Sequence, residues 1–166
     1  MDFYFRIACE EGNLKEAKEI IERENIDIHA FDDYAFRHAC HNGHLHVAKW
    51  LIEISKDKKL RFGKINIHAE DEFSFRYACL NGHLEVVKWL IETFDLSERK
   101  NPINIHTENE EAFRWACENG HLEVAKWLIN ISDKKKLIYN GVINIHVKNE
   151  YAFRSACWNG HLEIAK

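Results

Sequence analysis

The sequence predicts an all-α fold of stacked helix–turn–helix repeats, and three observations carry that prediction. One run of residues recurs: Asp32–Ile52 returns as Asp71–Ile91 and Asn109–Ile129, and begins again at Asn149. Within each copy the apolar residues fall at helical spacing, as Phe75, Ala78 and Cys79 do. Each copy is divided by Asn-Gly, and a chain with one proline has room for many helices. A segment repeated in this way cannot bury its apolar face alone and stacks on its neighbours.

The third copy shows how a repeat is built. Asp71 is suited to cap a helix, and Glu72 suits the positive end of its dipole. The helix predicted after Asp71 ends at Asn81-Gly82, because glycine takes the positive φ that closes a helix without a steric penalty. A second helix follows: Leu84, Val86, Val87, Trp89, Leu90 and Ile91 are apolar, and Glu85 and Lys88 form a pair on the wet face.

The remaining copies follow in order. Residues 1–24 form a shorter first repeat, with helices at Phe3–Glu11 and Leu14–Arg23, and its charged surface suits an amino-terminal cap. Repeats then span 25–64, 65–102, 103–142 and 143–166, all within one predicted domain, residues 1–166. The last stops at Lys166 without the Trp-Leu-Ile of the others, which predicts a truncated repeat that frays after about Gly160. Arg6, Arg37, Arg76, Arg114 and Arg154 mark one position, at spacings of 31, 39, 38 and 40 residues. The added residues follow each second helix (55–64, 93–102 and 132–142) and carry Lys56, Lys58, Lys59, Arg61 and Lys64, then Arg99 and Lys100, then Lys134, Lys135 and Lys136. Inserts at one phase of a repeat map to one face. Leu60, Phe62, Leu137, Ile138 and Tyr139 predict that these inserts pack back in part.

Asn-Gly-His-Leu-Glu-Val-Val-Lys-Trp-Leu-Ile (81–91) resembles the second half of an ankyrin repeat, and Ile-Asn-Ile-His-Ala (65–69) is similar to its entry segment. The family's Thr-Pro-Leu-His start is replaced by Tyr-Ala-Phe-Arg (34–37), Phe-Ser-Phe-Arg (73–76), Glu-Ala-Phe-Arg (111–114) and Tyr-Ala-Phe-Arg (151–154). The turn before it is shorter than usual. This variant resembles the ankyrin repeats of large, mimivirus-like DNA viruses of amoebae and of some amoebal proteins. The resemblance covers nearly the whole chain. It implies an ankyrin-repeat solenoid with shortened turns in place of β-hairpin fingers, a scaffold for protein–protein interaction, and an intracellular place such as a viral host's cytoplasm.

Net charge of −4 gives no general attraction to nucleic acid or membrane, and no apolar run reaches membrane-spanning length. Cys9, Cys40, Cys79, Cys117 and Cys157 hold one position in every repeat. Packed helices lie roughly 8–10 Å apart, while a disulfide needs Cα atoms within about 7 Å, so these cysteines are predicted to be free core residues in a reducing compartment. Each of the last four has a histidine four residues on: His44, His83, His121 and His161. Zinc wants four ligands at roughly 2.0–2.3 Å and each repeat offers two, so a turn-closing histidine is favoured over a metal ligand. The ladder His29, His68, His106 and His146 is read in the same way. The arginine ladder is read as a clasp on carbonyls and carboxylates of an adjacent turn, among them Asp32, Asp33, Glu70, Glu72, Glu108, Glu110 and Glu150, in preference to an anion-binding groove.

The residues after each Arg and each Cys vary while their frame stays fixed. From these come the candidate partner-binding residues His38, His41, Tyr77, Leu80, Trp115, Glu118 and Trp158, which the resemblance places on a concave face. Tyr and Trp dominate binding hot spots. Those after Cys are expected to point further outward, and the constant Trp50, Trp89 and Trp127 are expected in the core. No phosphate loop or nucleophile–base motif is present, so no catalytic residue, cofactor or small-molecule substrate is assigned. The expected function is a non-enzymatic scaffold for an unknown protein. The alternatives are docking through the Lys-rich inserts, to protein or to a less favoured nucleic acid, and a remote Cys/His metal-binding role.

Overall fold

The computed structural model describes residues 2–57, 63–97 and 102–166. Its elements are α1 (Asp2–Glu10), α2 (Leu14–Arg23), α3 (Ala30–His41), α4 (Leu45–Ser55), α5 (Ala69–Leu80), α6 (Leu84–Ser97), α7 (Thr107–Glu118), α8 (Leu122–Lys134), α9 (Val147–Trp158) and α10 (Leu162–Ala165). Among the described residues there is no strand. The chain forms two compact units, Met1–Ser74 and Phe75–Lys166. In the first, α1 packs on α2 and α3, and α3 on α4. In the second, α7 packs on α8 and α9, α6 on α8, and α10 on both α8 and α9.

The apolar periodicity produces the core. Phe5, Phe36, Phe75 and Phe113, each just before its Arg, are buried, as are the Ala and Cys that follow at helical spacing. The entry segments contribute alternate residues. Ile26 and Ile28, Ile65 and Ile67, and Ile103 and Ile105 are buried, while the Asp or Asn between them turns outward. That polar residue makes a local turn: Asp27, Asn66, Asn104 and Asn144 accept the backbone N–H two residues on, at 2.9–3.1 Å. A recurring Ile-Asn-Ile-His is therefore two core side chains around one turn-forming side chain.

The starts of α3, α5, α7 and α9 differ from the capped start expected at Asp71. Three consecutive residues are left-handed there: Phe31–Asp33, Glu70–Glu72, Glu108–Glu110 and Lys148–Glu150, with φ between 50° and 64°. Asp71 lies inside this turn rather than at an N-cap. A left-handed turn costs roughly 1–2 kcal/mol per L-residue, so other contacts must hold it. The arginine ladder does so. Arg37 donates through Nε to the Asp32 carbonyl at 2.8 Å and through Nη2 to that of Phe31 at 3.0 Å. Arg114 repeats the pair on Asn109 and Glu108 at 2.9 and 3.0 Å. Below the turn, His29 Nδ1 meets Asp33, and His68, His106 and His146 meet Glu72, Glu110 and Glu150 at 2.8–2.9 Å.

Other expectations are corrected. Trp50, Trp89 and Trp127 are half-buried rather than core. Trp50 lies with its ring centroid 6.3 Å from that of Phe5, and Trp89 lies 6.0 Å from Phe94. Of Leu137, Ile138 and Tyr139 in the third insert, Tyr139 alone is buried; Leu137 is 92% exposed and Ile138 is exposed. The second insert lengthens α6 as far as Ser97. Lys58, Lys59, Leu60, Arg61, Phe62, Arg99 and Lys100 lie outside the described residues. After Gly160 the chain is helical in α10, with none of its side chains buried.

Candidate functional site

In the first compact unit, His38 and His41 lie one turn apart on α3, both half-buried. His38 stacks on Tyr34, with centroids 3.8 Å apart and planes at 15°. Its Nδ1 is 3.8 Å from Glu10 Oε1, beyond hydrogen-bond reach, while Tyr34 Oη donates to the other carboxylate oxygen at 2.9 Å. Phe73 closes the cluster, 5.5 Å from His38 and 6.1 Å from His41. Burial pushes both imidazoles below their ordinary pKa, and Glu10 partly offsets it.

In the second compact unit, Tyr77 and Trp115 form an edge-to-face pair at 5.1 Å. The Arg76 guanidinium lies 5.9 and 5.8 Å from the two rings and pairs with Glu111. Leu80 and Glu118 are half-buried, and Glu118 accepts from Tyr151 Oη at 3.0 Å. Trp158 is 90% exposed. It borders an open recess of about 480 Å³ with Glu118, Tyr151, Arg154, Ser155 and Asn159. Of the residues after Cys, then, Trp158 is the exposed one; His41, Leu80 and Glu118 are partly covered. The tyrosine–carboxylate bonds from one repeat to the next were missed from sequence, although the spacing of Tyr34 after Glu10 and of Tyr151 after Glu118 carries the signal.

In every Cys/His pair but the last, that of Cys157, the cysteine is buried. All five cysteines are free, and four are buried. Burial pushes the thiols of Cys9 and Cys117 up to about 12, and raises those of Cys40 and Cys79 as well. Metals bind the thiolate, which such burial suppresses. The turn histidines close Asn-Gly through the backbone: His44, His83, His121 and His161 N–H donate to Ala39, Ala78, Ala116 and Ala156 at 2.8–2.9 Å. The rings of His44, His121 and His161 instead lie over Gly12, Gly82 and Gly120 of the preceding repeat. At Gly120, which has φ +80°, a Cβ would fall 2.7 Å from the His161 ring. Among the described residues, no group of three or more His, Cys, Asp or Glu is placed to hold a metal, and no helix is long and apolar enough to cross a membrane.

Helix pairs joined by Asn-Gly turns, with a variable aromatic row on the first helix, define a helical repeat protein. The family model for ankyrin repeats (3 copies) matches residues 5–100 and 75–166, and the chain belongs to that family. Its all-α fold is of the ankyrin-repeat solenoid class. An ankyrin repeat family protein from Legionella pneumophila has a similar structure, with 29% identity and a TM-score of 0.58 over 83% of this chain. The match covers 40% of that protein, so this chain spans about two fifths of its length. No curated protein matches.

Proposed function

We propose that this chain is a protein-interaction scaffold with no chemistry of its own, and that it binds a partner protein through the variable residues of its first helices. The observation that carries this reading is Trp158, 90% exposed beside an open recess. An exposed indole loses water on contact and anchors an interface. Tyr77, Leu80, Trp115 and Glu118 extend the candidate residues within the same compact unit, and His38 and His41 supply those of the first. The buried free thiols support a reducing, intracellular setting. A second reading has its own support: Leu137, 92% exposed, follows Lys134, Lys135 and Lys136, so a basic, apolar knuckle could dock a partner instead.

Capture from reducing cytosol distinguishes the two. The chain is compared with a Tyr77→Ala, Trp115→Ala, Trp158→Ala variant and with a Lys134→Glu, Lys135→Glu, Lys136→Glu variant, each shown folded by circular dichroism. The expected result is at least a tenfold loss of one captured protein with the aromatic variant and retention with the lysine variant. The reverse result moves the site to the knuckle.

A further inference from the structure

We infer that Phe31, at the tip of the left-handed turn that opens α3, is a docking anchor for a basic segment of a partner protein. One large apolar side chain of that segment lies against the Phe31 ring, and arginine or lysine residues beside it pair with the carboxylates around the ring. The inference rests on the scaffold reading above and names the partner's chemistry at a residue outside the candidate row. Phe31 is the first of three left-handed residues, with φ 57°. The same place is held by Glu70, Glu108 and Lys148 in the other turns. A left-handed backbone is uncommon for any side chain and a genuine outlier for a bulky one. Charged residues there are hydrated, whereas Phe31 leaves an aromatic ring in water, 67% exposed. The fold does not require an aromatic at this place, since glutamate opens the next two turns. Nor does the exposure come from an end of the chain. The Glu70 side chain is 51% exposed and Glu108 is exposed, each with a repeat before and after it, so the turn itself leaves this position open.

The ring is nonetheless held in place. The Arg6 guanidinium lies 4.2 Å from its centroid and 5.0 Å from that of Tyr34, and Tyr34 stacks on His38 at 3.8 Å. A continuous row therefore runs from Phe31 through Arg6 and Tyr34 to His38, all within the first compact unit. Phe31 is its outer end, and the candidate histidines are its inner end. In the plainer reading the ring serves only as a seat for Arg6, as Glu70 does for Arg37 at 2.8 Å. A glutamate would do that and leave no apolar surface in water. A ring fixed by one cation and still mostly exposed is a preorganised contact, which binds without first losing its rotamer freedom.

The surroundings set the sign of the partner. Asp32, Glu70 and Asp71 are exposed on the two left-handed turns of this unit, whereas Asp33 and Glu72 are buried against His29 and His68. The arginines that hold these turns present little positive surface: Arg37 is 4% exposed, and Arg6 is half-buried on the ring. Carboxylates around an exposed aromatic attract a basic segment and repel nucleic acid and anionic membranes. Arg6 also decides what touches the ring. Its charge on one face disfavours a second cation on the other, so the ring takes an apolar side chain and the partner's cations go to the carboxylates.

A phage-displayed library of random peptides, panned on the chain, tests this. Enriched peptides are expected to carry a large apolar residue beside arginine or lysine. Synthetic copies are then measured against a Phe31→Glu variant, an Asp32→Asn, Asp71→Asn variant, and the Tyr77→Ala, Trp115→Ala, Trp158→Ala variant, each shown folded by circular dichroism. Phe31→Glu keeps a turn that Glu70 already makes. It is expected to weaken binding about tenfold although it adds a negative charge, which separates the apolar contact from attraction of charge alone. The asparagine pair is expected to weaken binding roughly threefold, and more at low salt than at high. Binding that survives Phe31→Glu overturns the inference, as does enrichment of acidic or uncharged sequences. Failure to enrich any peptide that depends on Phe31 overturns it as well. Loss with the Tyr77, Trp115 and Trp158 variant but not with Phe31→Glu overturns it and leaves the scaffold reading standing. That reading fails separately, when no form of the chain captures a protein from cytosol. A dimer that comes apart with Phe31→Glu would give the ring to a second copy and overturn the stated partner.

Discussion

His38 and His41 show what a variable position costs when it is only half exposed. The groups facing them are Glu10 on α1, Arg37 beside them on α3, and Glu70 and Phe73 on α5. Burial disfavours the imidazolium, Arg37 and the neighbouring histidine add to that at His38, and the carboxylates recover part of it. The folded pKa of both therefore lies below the ordinary value near 6.5. A depressed pKa means that the unfolded chain takes up the proton first, so stability is full above about pH 6.5 and is lost as pH falls through the lowered folded value. Denaturant midpoints measured between pH 8 and pH 4.5 should fall for the native chain. They should fall less steeply for a His38→Gln, His41→Gln variant. Equal slopes would show that neither histidine is held neutral by the fold.

At the scale of elements, the left-handed turn is the feature that the sequence hides. The helices themselves were legible, because apolar residues at i, i+3 and i+4 have one reading once the period is seen. Asp71 followed by Glu72 has two readings. In an isolated segment it is a good N-cap, and the left-handed alternative becomes affordable only when Arg76-type side chains, five and six residues on, bond the turn's carbonyls. The arginine ladder was visible as a clasp; the backbone it clasps was not, since φ is set by contacts from outside the turn. The tryptophans failed for a similar reason: helical spacing puts Trp89 on the apolar side, but half burial depends on neighbours that spacing does not reveal. The turn makes a test. Glu108 is exposed at φ 55°, so Glu108→Gly should stabilise the chain by about 0.5–1 kcal/mol, as glycine adopts that φ freely. Arg114→Met should cost about 2–4 kcal/mol, because it strips charge-assisted bonds from two carbonyls. Chemical denaturation reads both. Destabilisation by glycine would show that the turn is not left-handed in solution.

On the scale of the whole molecule, repeat proteins are held together by nearest neighbours, so stability should follow cover rather than composition. Repeats four and five of the second compact unit have nearly the same sequence at the Phe, Arg and Cys positions but not the same surroundings. Phe113 is 5% exposed and Phe153 is 53% exposed; Ile105 is buried and Ile145 is exposed. Removing a buried Phe costs about 3–5 kcal/mol, whereas a half-exposed one has given up part of its burial already. Phe113→Ala should therefore lower the denaturation midpoint much more than Phe153→Ala, although the two residues sit in the same local sequence. Hydrogen exchange should show the same gradient in the native chain. Amides of α9 and α10 are expected to exchange at least tenfold faster than those of α7 and α8, because opening the last repeat uncovers little that is not already exposed. Equal protection along the second unit would mean that its repeats open as one block. The Ala-Phe-Arg and Ala-Cys that α7 and α9 share would then set their stability, and the contacts across the repeat junction would add little to it.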